Sequence, residues 1–218
     1  MSESPTIAVV DYGMGNLFSV KRACEHVGLR AEITPDAHVV GSADAIILPG
    51  VGAFGDAMLA LDRVGMSDAI RSAAASGTPI LGICLGLQLL MERSCEFGMC
   101  EGLGLIPGDV VPFEHPREGD RVLKVPHVGW NRVWRASGGA WDDTLLSASP
   151  DGIHQYFVHS YYVNPTDERN VAARTRYGDH EFCSAAKSGN VVACQFHPER
   201  SGPQGIRMYE RFAAMVRG

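Results

Sequence analysis

Short apolar runs punctuate the first half of the chain, and stretches with helical spacing of apolar and polar positions follow them. The runs at 7–12, 31–34, 45–48 and 80–83 predict strands. Residues 17–27 predict a helix with Phe18 and Val20 among its apolar positions, further helices fall between 56 and 75, and another covers 85–93. Strands alternating with helices imply parallel pairing, with helices on both faces of the sheet. The second half changes character. Strands predicted at 109–113, 122–125, 153–163, 171–176, 181–186 and 191–196 succeed one another through turns such as Arg176-Tyr177-Gly178-Asp179. They read as antiparallel additions to the same sheet. A closing helix over 203–216 begins with Pro203 in its first turn, where a missing N–H costs nothing. No linker or repeat divides the chain, so residues 1–218 are expected to form one α/β domain on a mixed sheet with a parallel core.

One turn in this pattern carries chemistry. Thr78-Pro79-Ile80-Leu81-Gly82-Ile83-Cys84-Leu85-Gly86-Leu87-Gln88 reads as strand, sharp turn and helix with a cysteine at the apex. This is the G-x-Nuc-x-G arrangement of a nucleophile elbow, with sulfur in place of the serine hydroxyl. Gly82 and Gly86 leave the room that a Cβ would take from the tight strand-to-helix backbone. The N-terminus of the following helix would favour thiolate over thiol at Cys84. Taken alone, Cys84 reads better as one more small hydrophobe in a buried strand.

A second segment tips that balance. In Val191-Val192-Ala193-Cys194-Gln195-Phe196-His197-Pro198-Glu199-Arg200 an apolar strand runs out at His197, and alternation puts Glu199 on the same side. Pro198 keeps His197 extended. A thiol needs a base to take its proton, and the base needs an acceptor to fix its tautomer. Cys84, His197 and Glu199 can fill these roles in that order. A third segment, Pro49-Gly50-Val51-Gly52-Ala53-Phe54-Gly55, matches G-x-G-x-x-G after a strand, but the next strand ends in Cys84 and not in the acidic residue a dinucleotide site requires. No nucleotide or other cofactor is expected. Val51 and Gly52 suit an oxyanion hole better, completed by the Leu85 N–H after the cysteine. Glycines on both sides of Val51 would let its peptide turn, which makes the hole switchable.

Together with Val10-Asp11-Tyr12-Gly13-Met14-Gly15-Asn16, Pro126-His127-Val128-Gly129-Trp130-Asn131 and Tyr156-Phe157-Val158-His159-Ser160-Tyr161, these segments resemble the class I glutamine amidotransferases nearly end to end. The opening segment and the Pro-His-x-Gly-Trp-Asn segment are similar to those of the glutaminase subunits of imidazole glycerol phosphate synthase. The resemblance implies glutamine hydrolysis through a glutamyl thioester on Cys84, with His197 as base and Glu199 as its orienter. It implies Gly52, Gln88, Ser160 and Tyr161 around L-glutamine. It also implies a heterodimer with a (β/α)8-barrel cyclase subunit, which receives the ammonia to make imidazole glycerol phosphate and an aminoimidazole carboxamide ribotide in histidine biosynthesis. Asn16, Trp130, Tyr156 and Arg200 would face that partner. Arg200 stands where the family usually has lysine, which keeps the cation and changes its geometry.

Bulk properties narrow the picture without deciding it. A net charge of −6 with scattered Lys and Arg gives no basic stripe, so nucleic acid is not an expected partner. No apolar run approaches the roughly twenty residues a bilayer requires. The Met1-Ser2-Glu3-Ser4-Pro5 start is unlike a signal peptide, and the 6 cysteines without pattern suit a reducing cytoplasm. Cys95 and Cys100, read as helix-end and loop thiols, lack a second ligand pair, so no metal is expected. Asp179-His180-Glu181 reads as a solvated hairpin tip and His159 as a structural histidine. Two other readings stay open: a glutaminase subunit of another amidotransferase or a stand-alone cysteine amidohydrolase, and a non-catalytic module that keeps the fold.

Overall fold

A computed structural model describes residues 5–138 and 141–218. The chain begins β1 (Thr6–Val10), α1 (Leu17–His26), β2 (Arg30–Thr34), α2 (Ala37–Ser42), β3 (Ala45–Gly50), α3 (Phe54–Arg63), α4 (Met66–Ala75), β4 (Ile80–Cys84) and α5 (Leu85–Leu89). It continues through β5 (Met91–Ser94), β6 (Cys100–Glu101), β7 (Ile106–Pro112), β8 (Arg117–Glu118), β9 (Arg121–Val122), β10 (His127–Arg135), β11 (Ile153–His159) and β12 (Tyr161–Pro165). Then come β13 (Val171–Tyr177), β14 (His180–Ser188), β15 (Val191–Cys194) and α6 (Gly202–Arg217). Strands β2, β1, β3, β4 and β15 pair in that order, all parallel, within a 13-stranded sheet. The later strands attach mainly by antiparallel pairing, through β14 against β15 and β13. The expected α/β architecture, a parallel core with antiparallel additions, is what the chain adopts.

Strict alternation along the core strands builds two apolar layers. Ile7, Val9 and Ile47 face α1 and α6, where Val20, Cys24, Met208 and Phe212 meet them. Ala8, Val10, Ile46 and Leu48 face α3 and α4, against Phe54, Leu61 and Ile70. Both faces are covered, so every residue of β3 and β4 is buried and their sequences run continuously apolar.

Several expected elements are corrected. The helix expected over 85–93 stops at Leu89. Backbone N–H groups of Leu103 and Leu105 reach the Leu89 and Leu90 carbonyls at 2.8 and 2.9 Å, and sheet pairing takes the chain into β5. Cys95 and Cys100 therefore flank a strand-to-strand loop and not a helix end. The strand expected over 153–163 breaks at Ser160, because β11 pairs with β10 while β12 pairs with β7. The run at 122–125 yields only β9, in a small hairpin with β8. The segment around His127 and Trp130, where no strand was expected, is the 9-residue strand β10. Phe18 lies on α1 as expected but is 65% exposed, with the Arg22 guanidinium over its ring.

Candidate active site

Parallel register brings three distant segments to the carboxyl ends of neighbouring strands. Gly50 pairs with Cys84 across β3 and β4, and Ile83 with Cys194 across β4 and β15. Ligand sites of open parallel sheets form at such ends. Cys84 has φ 55 and ψ −106, in the left-handed half of backbone space that a side chain rarely occupies. The surroundings enforce it: a Cβ on Gly86 would overlap the Leu48 carbonyl, and one on Gly82 would meet Ala193 Cβ at 3.0 Å. A Cβ on Gly50 would overlap the Tyr12 hydroxyl, which donates to the Pro49 carbonyl at 2.8 Å. Tyr12 of the opening segment thus props the glycine turn from behind.

His197 and Glu199 meet as expected, although Pro198–Arg200 form a 3-10 turn where extended chain was expected. His197 Nδ1 lies 2.8 Å from Glu199 Oε1, with the two side chains 4% and 1% exposed. The turn is pinned on several sides. The His197 N–H donates to the Tyr156 carbonyl at 2.8 Å, and the Ser201 hydroxyl donates to the His197 carbonyl at 2.7 Å. A Cβ on Gly205 of α6 would overlap the Pro198 carbonyl, so a bare backbone lets that helix press against the turn. Burial disfavours the imidazolium of His197, but the adjoining Cys84 sulfur and Glu199 carboxylate outweigh it and push its pKa up to about 10. His197 Nε2 and Glu199 Oε2 are buried without a protein partner. A cysteine beside a histidine that a carboxylate orients can run acyl transfer.

The sulfur opens onto a cavity of about 300 Å³. Val51, Gly52 and Leu85 line it on one side, and Gln88, Ser160 and Tyr161 on another, so all the residues expected around glutamine share it. Gly52 has φ +113, which a residue with a side chain would resist. Val51 is 45% exposed and not held in the core. Gln88 Nε2 donates to the Tyr161 carbonyl at 3.0 Å and to Gln195 Oε1 at 3.2 Å. A backbone carbonyl only accepts, so this fixes the amide's orientation and leaves Gln88 Oε1 as an acceptor.

Two features of this wall escaped the sequence reading. Glu96, in the loop between β5 and β6, lines the cavity and accepts the Phe54 N–H at 2.7 Å. A single acid in a short surface loop gives no signal that would single it out. His159, read as a structural histidine, lines the cavity and belongs to a relay. Its Nδ1 donates to the Tyr161 carbonyl at 2.9 Å, which leaves Nε2 to accept from His127 Nδ1 at 3.0 Å. His127 Nε2 in turn accepts from the Asn131 amide at 3.3 Å. Burial lowers the pKa of His127 to about 4 and of His159 to about 3, so both stay neutral with these tautomers.

Of the residues expected to face a partner, three stack on one another. Arg200 lies over the Tyr156 ring, 4.4 Å from its centroid, and Tyr156 meets Trp130 edge to face at 6.1 Å. Trp130 is 57% exposed. Asn16 is exposed just before α1, a helix that packs against the Pro198–Arg200 turn, so it sits near the others without touching the stack. Among the described residues no group of three or more His, Cys, Asp or Glu side chains is gathered to hold a metal. None of their helices is long and apolar enough to cross a membrane.

Comparison with known proteins places this geometry. Residues 8–216 match the family described as Glutamine amidotransferase class-I. Solved structures agree in fold: PurLQS from Thermotoga maritima superposes with a TM-score of 0.73 at 21% identity, over 99% of this chain and 100% of that one. The chain belongs to the class I glutamine amidotransferases. Within that class it belongs with the imidazole glycerol phosphate synthase subunits HisH. It is 51% identical to the one from Rhodopirellula baltica over 95% of this chain and 96% of that one. With the one from Geobacter sulfurreducens it shares 47% identity, over 96% and 98% of the two chains.

Proposed function

We propose that the chain hydrolyses the side-chain amide of L-glutamine and delivers the ammonia to a cyclase subunit, serving imidazole glycerol phosphate formation in histidine biosynthesis. The observation that carries this reading is the strained Cys84 beside the buried His197–Glu199 pair, at the mouth of a cavity sized for one amino acid. Glutamine enters with its amide carbon at Cys84 Sγ. Its α-ammonium is met by the Glu96 carboxylate and Gln88 Oε1, and Ser160 and Tyr161 close the other side. The thiolate adds to the amide carbon, and the oxyanion that forms is held by the Leu85 N–H and the peptide between Val51 and Gly52. His197, protonated and steadied by Glu199, gives its proton to the leaving nitrogen as the C–N bond breaks and ammonia departs. Water, deprotonated by His197, then attacks the thioester. Glutamate leaves and the thiolate returns.

The exposed stack of Trp130, Tyr156 and Arg200 with nearby Asn16 is the docking face for the cyclase barrel, with which the chain forms a heterodimer. A glutaminase that feeds a partner wastes glutamine when it runs alone. The glycine-flanked Val51 peptide is a device for idling it until the loaded partner binds. Glutamine hydrolysis measured on the chain alone, with the cognate cyclase subunit, and with that subunit plus its nucleotide ligand tests the reading. The expected result is a rate near zero alone that rises steeply in the loaded complex. A brisk rate without partner would remove the switch, and no hydrolysis in any mixture would overturn the function.

A further inference from the structure

The triad does not account for every polar group around the sulfur. Gln195 is fully buried, yet its side chain belongs neither to the triad nor to the cavity lining. Its Nε2 lies 3.7 Å from Cys84 Sγ, and its Oε1 accepts from Gln88 at 3.2 Å. The orientation of this amide follows from fixed points. The Tyr161 carbonyl can only accept, so the Gln88 amide group must donate toward it. The second Gln88 hydrogen then requires an acceptor, which Gln195 Oε1 supplies. Gln195 is left with its N–H aimed at the sulfur. Apart from the adjoining His197, the sulfur also meets the Val158 carbonyl at 3.8 Å, an acceptor that suits a thiol and opposes a thiolate. The helix behind Cys84 has only 5 residues, so it adds little dipole to favour the anion.

We propose that Gln195 is a further catalytic residue: its amide donates to Cys84 Sγ, favours the thiolate against the Val158 carbonyl, and holds the sulfur on the path of attack. This rests on the glutaminase reading and extends it. Because Gln88 borders the substrate and anchors Gln195, glutamine binding and thiolate placement share one hydrogen-bonded chain. A substrate that seats Gln88 firmly also firms the donor at the nucleophile. Charge-assisted donors of this kind shift such an equilibrium by about tenfold or more.

The test is alkylation of Cys84, which is reached through the cavity, by iodoacetamide at neutral pH without glutamine, followed on the Cys84 peptide by mass spectrometry because Cys95 is exposed and would react too. Gln195→Glu keeps the shape and the acceptor for Gln88 but removes the donor. Gln195→Met keeps the volume and removes both. Alkylation at least about tenfold slower in the folded variants, with kcat for glutamine falling more than KM rises, is the expected result. Wild-type alkylation in either folded variant would overturn the role. If neither variant folds, the unmutated protein still decides it. The Gln195 side-chain NH2 resonance must shift when Cys84 is alkylated, and an unmoved resonance would overturn the proposal. Alkylation needs no turnover, so it separates failure of this role from failure of the glutaminase reading.

Discussion

Two regions lie two residues apart on one face of β11 and are built on opposite terms. At Val158 the strand borders the catalytic cleft, and at Tyr156 it carries the outer aromatic stack. In the cleft, polar side chains are buried and tied to other protein groups: His197 to Glu199, Gln88 to Tyr161 and Gln195, His159 to His127. On the outer face, Arg200 lies over Tyr156, Tyr156 meets Trp130 edge to face, and Trp130 stays largely in solvent. The cleft is assembled by the chain itself, whereas the face is an aromatic surface of the kind that anchors interfaces. On the proposed function, chemistry is prepared in the isolated chain and its use waits for contact a few ångströms away.

Substitutions can break this contrast. In the cleft, Cys84→Ala is expected to lower glutamine hydrolysis by the loaded complex by about a thousandfold or more, and His197→Asn by a similar factor, measured as ammonia release. Glu199→Gln keeps the shape and removes the charge, so a loss of about a hundredfold is expected. None of the three should weaken partner binding by more than twofold or so. On the outer face the signs reverse. Trp130→Ala should weaken binding of the cyclase subunit by roughly 2 kcal/mol in calorimetry, and Arg200→Ala by about half as much. Cys84 in both variants should alkylate at the wild-type rate.

The smallest effect concerns pH. Burial holds His127 to about 4 and His159 to about 3 in the fold, below the ordinary 6.5 of an exposed histidine. The unfolded chain therefore binds more protons between these values. The stability this provides is complete above pH 6.5 and is lost as pH falls toward 4 and 3. His197, raised to about 10, acts in the other direction: its contribution is complete below 6.5 and is lost as pH rises through 10. Melting temperature should fall on both sides of neutrality. His159→Asn, which keeps a donor near the Tyr161 carbonyl, should flatten the acid limb, and an unchanged slope between pH 4 and 6 would contradict the shifts.

The same contrast explains what the sequence made legible. The elbow and the glycine turn are local constructions, and Gly50, Gly82 and Gly86 announce them because a Cβ would break each one. The pairing of His197 with Glu199 was legible too, although the 3-10 turn that carries it was read as extended chain. The parallel core was legible because strands buried on both faces read as unbroken apolar runs. Strand β10 was not, because Val128, Trp130 and Trp134 point outward and reverse the usual alternation. The His127–His159 pair, the Glu96 position and the Gln195 donor arise from contacts between segments 32 to 111 residues apart, such as the β10–β11 register and the approach of Gln195 to Cys84. No local pattern encodes those contacts.

The central claim is that Cys84 carries the acyl group. Acid quench of the loaded complex during glutamine turnover, followed by mass spectrometry of the Cys84 peptide, reads it directly. A glutamyl adduct on Cys84 that forms and decays with turnover is the predicted result. Sustained glutamine hydrolysis with no adduct on Cys84, or hydrolysis that survives Cys84→Ala, would contradict it.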